Sequence, residues 1–117
     1  MLRIVYKDVY LGGAETLLLR IGEKFISEGV DVVLYCAKVH SKVIRTEFSQ
    51  HKINILETQD FYEKAVGDCN ETDIILTISL YDYIESLIVM RKSKRMPPIF
   101  IMLCILIIHY IKRGVGF

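Results

Sequence analysis

Between Leu2 and Cys36 the hydrophobic period of the chain changes twice across a pair of glycines, and this constrains the fold more than any other stretch. Leu2 to Tyr6 is a β-favouring run that Leu11-Gly12-Gly13 breaks. From Ala14 to Glu28 the apolar residues fall at 14, 17, 18, 21 and 25, the spacing of one helix face. Gly29 stands where a left-handed helix C-cap is wanted, and Val30 to Cys36 is again strand-like. Strand, glycine turn, helix and strand make a βαβ unit, whose crossover is expected to be right-handed and its strands parallel.

The rhythm continues beyond it. Lys42 to His51 suits a short helix and Ile53 to Leu56 a third strand. Asp60 is an expected N-cap, with Glu63 in the capping-box position, for a helix through about Asp68. Asp73 to Ser79 reads as strand four and Tyr81 to Lys92 as a helix, which Met96-Pro97-Pro98 stops before strand five, Ile99 to about Ile108. Strands that alternate with helices imply a parallel sheet covered on both faces. Strands four and five are nearly solid apolar, as strands buried on both sides should be. The expected fold is therefore α/β: one Rossmann-like domain over 1–117, with an open parallel sheet of about five strands in the order 3-2-1-4-5.

Composition narrows the function classes. With 52% hydrophobic and 25% charged residues, the chain has the material for a packed core. Its formal charge of +1 offers no basic field for nucleic acid, so no nucleic-acid partner is expected. Cys36, Cys69 and Cys104 are scattered and form no C-x-x-C or Cys/His cluster; they read as buried or incidental thiols, with no metal site. The apolar run from Ile99 to Ile108 is about half of the ~20 residues a membrane-spanning helix needs, which favours a strand. Leu2 to Tyr6 is too short for a signal peptide, so a cytoplasmic location is expected. The basic run Arg91-Lys92-Ser93-Lys94-Arg95, with Lys112-Arg113, either solvates a helix end or touches anionic lipid head groups as a peripheral contact.

In an open parallel sheet, ligands bind beyond the carboxyl ends of the strands where the strand order reverses, here between strands one and four. The residues to inspect are Lys7 to Glu15, Ser79 to Asp82 and the surroundings of His109. Gly12-Gly13 is either an ordinary tight turn or an anion site, in which the backbone approaches a ligand under the first N–H groups of a helix. The dinucleotide fingerprint G-x-G-x-x-G is absent, and Cys36-Ala37-Lys38 stands where an acidic ribose ligand would end strand two. The P-loop pattern is absent too. Lys7 and Asp8 at this edge either touch acceptor or phosphate or are exposed charge, and His40 and His51 read as solvated histidines.

Tyr10-Leu11-Gly12-Gly13-Ala14-Glu15, after an N-terminal strand and before an amphipathic helix, resembles the opening of family 4 glycosyltransferases, and Gly29-Val30-Asp31-Val32 resembles the family's entry into strand two. The resemblance implies the GT-B arrangement, in which two Rossmann-like domains face each other across a cleft. The C-terminal domain then holds most of the nucleotide-sugar donor, through a paired-glutamate motif among other contacts. The N-terminal domain binds the saccharide or lipid-linked acceptor and lends its glycine turn to the donor phosphates. Carried over, Gly12 and Gly13 approach the diphosphate through backbone N–H groups. Glu15 matches the motif's acid, which is either a site residue or a structural carboxylate at a helix start. His109 stands where family members carry a histidine near the reacting sugar, or else is an ordinary histidine at a strand end. The family implies polysaccharide biosynthesis with retention and no separate cofactor. These residues leave no room for the donor-binding half, and the expectation is a domain that folds without transferase turnover.

Two other classes compete. A phosphoacceptor receiver domain would use Asp8, Thr77 or Ser79, and Lys112, but Glu57 stands where its phosphoacceptor aspartate should be. A non-catalytic interaction module would present Tyr10, Leu11, Tyr81 and Tyr83 as an apolar patch.

Overall fold

Along the first strand, β1 (Leu2–Val5), successive side chains go to opposite sides of a sheet, and this alternation divides the core in two. The computed structural model describes residues 1–78 and 99–102. Its elements run β1, β2 (Asp8–Val9), α1 (Gly13–Ser27), β3 (Val32–Cys36), β4 (Lys38–Val39), α2 (Lys42–Gln50), β5 (Asn54–Glu57), α3 (Phe61–Asp68), β6 (Ile74–Ile78) and β7 (Ile99–Met102). The five longer strands form one parallel sheet in the order β5-β3-β1-β6-β7. β1 is central, with Ile4 beside Leu34 on one flank and Leu76 on the other.

The strand order thus differs from the expected 3-2-1-4-5, because two short strands intervene. β2 and β4 leave the main sheet and pair with each other. With them set aside, the long strands have the expected neighbours. Two-residue strands carry too little pattern for a period to be read from sequence. The expected helix over Tyr81 to Lys92 and the part of strand five beyond Met102 lie outside the described residues.

One face of the sheet, with Leu2, Ile4, Leu34, Cys36 and Leu76, packs against Leu18 and Leu19 of α1 and Ile44 and Phe48 of α2. The other, with Val5, Tyr35 and Ile75, packs against Phe61 and Ala65 of α3. Helices therefore cover both faces. α1 ends at Ser27 with Glu28 as its C-cap, and Gly29 follows with φ +82°, a left-handed conformation that costs a side-chain-bearing residue about 1 kcal/mol or more. Its N–H reaches the Ile26 carbonyl, and that of Val30 the Phe25 carbonyl, which seals the helix end. Ser41 caps α2 by accepting from the Ile44 N–H. The capping box expected at Asp60 is not formed. Asp60 holds the N-cap position, but its carboxylate accepts from the Thr58 hydroxyl at 2.6 Å instead.

At the amino edge of the sheet a polar cluster centred on buried Arg3, Tyr35 and Asp73 runs out to exposed Asp68 on the α3 side. The Arg3 guanidinium donates to Asp73 Oδ2 (3.0 Å), to the Tyr35 hydroxyl (2.6 Å) and to the Asp68 carbonyl (3.1 Å). The Tyr35 hydroxyl donates in turn to Asp68 Oδ2, and the Asn70 N–H to Asp73. Burial, reinforced by the Asp68 carboxylate, pushes the Tyr35 hydroxyl up to about 12. Burial opposes ionisation of Asp73, yet the Asn70 N–H and Arg3 outweigh it and hold the carboxyl below its usual range.

Candidate functional site

The chain leaves β1 at Tyr6 and does not turn directly into the glycines. The Lys7 carbonyl accepts from the N–H groups of Ala37 (2.8 Å) and Lys38 (3.2 Å). Asp8 and Val9 then run parallel to Lys38 and Val39, and the His40 N–H closes on the Val9 carbonyl at 2.7 Å. This small ladder sits beyond the carboxyl edge of the sheet and brings segments about 30 residues apart to one place.

The glycine turn comes next. Gly12 is the N-cap of α1 in an extended conformation (φ −158°, ψ −175°), and no side chain caps the helix there. Its carbonyl accepts from the Thr16 N–H (3.0 Å) and the Thr16 hydroxyl (2.8 Å). Gly13 is the first helical residue. Among the described residues, a Cβ built on Gly13 would meet nothing within 4 Å, and one on Gly12 would stand at 3.5 Å from Glu15 Oε1, an ordinary contact. The fold therefore does not demand a glycine at either place, and both leave the backbone bare at a helix start, where partial positive charge gathers.

Glu15 is 4% exposed, and both carboxylate oxygens serve the loop. Oε2 accepts from the Tyr10 N–H at 2.8 Å and Oε1 from the Tyr6 hydroxyl at 3.4 Å. Its observed role is to brace the segment between β2 and α1. The braced segment carries Tyr10 and Leu11 outward, 53% and 61% exposed.

Sequence reasoning missed what stands beside it. The Tyr10 and His40 rings stack, with centroids 4.3 Å apart and planes 10° from parallel. His40 Nε2 lies 2.9 Å from Asp8 Oδ1. His40 is exposed, as expected, and Asp8 is partly exposed; what the expectation lacked is their pairing. Thirty-two residues separate them, so no local pattern could have revealed the pair. His51, likewise expected to be solvated, meets Glu23 at 2.7 Å.

Behind the ladder, Glu57 accepts from the Val39 N–H at 2.6 Å and from Arg45 at 3.2 Å. The Val39 N–H foremost, with Arg45, holds its carboxyl below the usual range. Cys36 and Cys69 are buried free thiols, as expected. Burial, with Glu57 nearby, pushes the Cys36 thiol up to about 12, so it has no nucleophilic character near neutral pH.

The other expected site residues divide in two. Of the residues a receiver domain would use, Asp8 is paired with His40, Glu57 is engaged by Val39 and Arg45, and Thr77 is fully buried. His109, Ser79 to Asp82, Lys112 and the basic run from Arg91 lie outside the described residues. Among the described residues no three His, Cys, Asp or Glu side chains gather as metal ligands, and no helix is long and apolar enough to cross a membrane. Compared with protein-family models, curated proteins and solved structures, the chain matches none.

Proposed function

We propose that this domain is the N-terminal half of a GT-B glycosyltransferase, which takes part in moving a sugar from a nucleotide-sugar donor to a saccharide or lipid-linked acceptor. One observation carries the reading. The 15-residue helix α1 starts on a bare, uncapped Gly12-Gly13 step, at the carboxyl edge of a parallel sheet and beside its central strand. Between β1 and β6 the connections diverge to opposite flanks, which is where ligands of such sheets sit. The N–H groups of the first turn are donors suited to a diphosphate, and Gly12 and Gly13 admit it closely. Glu15 supports the site indirectly, by holding the loop that leads into the turn. His109 is proposed to approach the reacting sugar, as the family resemblance implies. The donor's nucleotide is assigned to a facing domain, so these residues alone bind donor weakly and turn nothing over. Location at the cytoplasmic face of the membrane, through the basic Arg91 to Arg95 run, belongs to the same proposal.

Titration with UDP, GDP and their sugars, followed by backbone amide NMR, tests this reading. Shifts centred on Gly12, Gly13 and the residues around His109 are expected. A folded sample without shifts at millimolar ligand removes the reading.

A second reading, a non-catalytic pairing module, is favoured by the outward Tyr10 and Leu11 side chains. It requires self-association, or association with a complete transferase, that Leu11→Asp abolishes; a monomer indifferent to that change in sedimentation and pull-down removes it.

A further inference from the structure

We infer that Asp8, His40 and Tyr10 form a subsite for the hydroxyl groups of a saccharide ring, beside the glycine turn. The inference rests on the transferase reading and gives its acceptor side a place. An ionised carboxylate can only accept, so the hydrogen in the 2.9 Å contact between His40 Nε2 and Asp8 Oδ1 lies on the imidazole. In a neutral ring that choice leaves Nδ1 as a hydrogen-bond acceptor, and Asp8 fixes the tautomer. Nδ1 and Asp8 Oδ2 have no protein partner among the described residues, so the pair keeps two acceptors, Nδ1 on the side of the ring away from Asp8 and Oδ2 on the carboxylate. Hydroxyl groups of a sugar are matching donors for each.

Two further features preorganise the pair. Stacking against Tyr10 sets the plane of the imidazole. Tyr10 is itself fixed, since its N–H is held by buried Glu15. Its ring is half exposed, and a rigid amphipathic ring next to polar acceptors suits a ligand with one C–H face and a rim of hydroxyls. The short β2–β4 ladder holds both arms: Asp8 belongs to one strand, and His40 follows the other. Rotamer freedom is thus removed before a ligand arrives, which lowers the cost of binding.

Methyl glucoside, methyl galactoside, methyl mannoside and N-acetylglucosamine, titrated separately into the ¹⁵N,¹³C-labelled chain, test the subsite. At least one should shift the Tyr10 and His40 ring signals. His40→Phe keeps an aromatic ring on Tyr10 but removes both nitrogens, and should weaken that binding about tenfold with the amide spectrum otherwise intact. Asp8→Ala removes the carboxylate that fixes the tautomer and one of the two acceptors. Its ¹⁵N ring shifts should report a ring no longer held in one tautomer, and saccharide binding should fall by a similar factor. Saccharide shifts that survive both substitutions, or none with any of the four sugars, overturn the inference. A parallel titration with UDP separates the two ideas: UDP shifts at Gly12 and Gly13 without sugar shifts at His40 leave the transferase reading standing and the subsite refuted.

Discussion

The two ends of one sheet handle polar groups in opposite ways. At the amino edge, Arg3, Tyr35 and Asp73 are drawn inside, and each finds its partners within the protein, exposed Asp68 among them. At the carboxyl edge the buried carboxylate of Glu15 also finds partners, but the groups around it face outward: Tyr10, the partly exposed His40–Asp8 pair and a bare glycine turn. Buried polar groups carry their full desolvation cost unless paired, so a closed network locks the fold. Half-exposed groups held in fixed positions keep hydrogen-bonding capacity for a ligand. The domain is fastened at one end and open at the other.

The most severe test of this contrast is Arg3→Met, which leaves buried Asp73 with the Met1 ammonium at 3.3 Å as its remaining cation and should destabilise the domain by about 3 kcal/mol in urea unfolding. A loss below about 1 kcal/mol, the scale of an exposed ion pair, would show that the amino edge is open too. Next is Tyr35→Phe, expected to cost about 1–2 kcal/mol because Arg3 and Asp68 each lose a partner. This change also alters the alkaline limb. The Tyr35 hydroxyl is raised to about 12 in the folded protein, so its proton is held more tightly than in the unfolded chain. Its contribution is complete below the ordinary phenol range near pH ~10 and is lost as pH rises towards 12. Tyr35→Phe should lack that component of the loss. Asp68 and Asp73 are depressed, which gives the opposite sign: stability present above the usual carboxylate range and lost as pH falls below it.

The carboxyl edge should respond less in stability and more in local motion. Glu15→Ala removes two hydrogen bonds to the loop and should cost about 1–2 kcal/mol. Hydrogen exchange should quicken at Tyr10, while Glu15→Gln, which keeps an acceptor, restores most of the protection. The smallest effect belongs to Gly13→Ala. With open space around the new Cβ, stability should change by no more than about 0.5 kcal/mol, while diphosphate-induced amide shifts at the turn should fade. A large loss of stability instead would mean that Gly13 serves the fold and not a ligand.

Much of the fold was legible because it is written in local periods. The 14, 17, 18, 21, 25 spacing announces α1, the Gly29 stop ends it, and the apolar runs announce the long strands. The site was legible only in part. Gly12, Gly13 and Glu15 stand together in sequence and could be singled out, but Glu15's work as a loop brace depends on the Tyr6 hydroxyl and Tyr10 N–H that the fold brings to it. His40 carried no signal, because its meaning comes from Asp8 and Tyr10 across a ladder of two-residue strands.

Among the described residues, the sequence by itself determined the longer elements, their order and the parallel, doubly covered sheet, since helix and strand periods are properties of neighbouring residues. Only the tertiary structure decided which face each strand residue serves. In strands apolar on both sides, Leu34 and Tyr35 look alike until α1 and α2 take one side and α3 the other. It also decided that Arg3 could be buried, because the charge that makes this tolerable, Asp73, lies 70 residues away. The pairing of Asp8 with His40 is of the same kind: contacts between distant residues follow from how the layers close, and no local pattern encodes them.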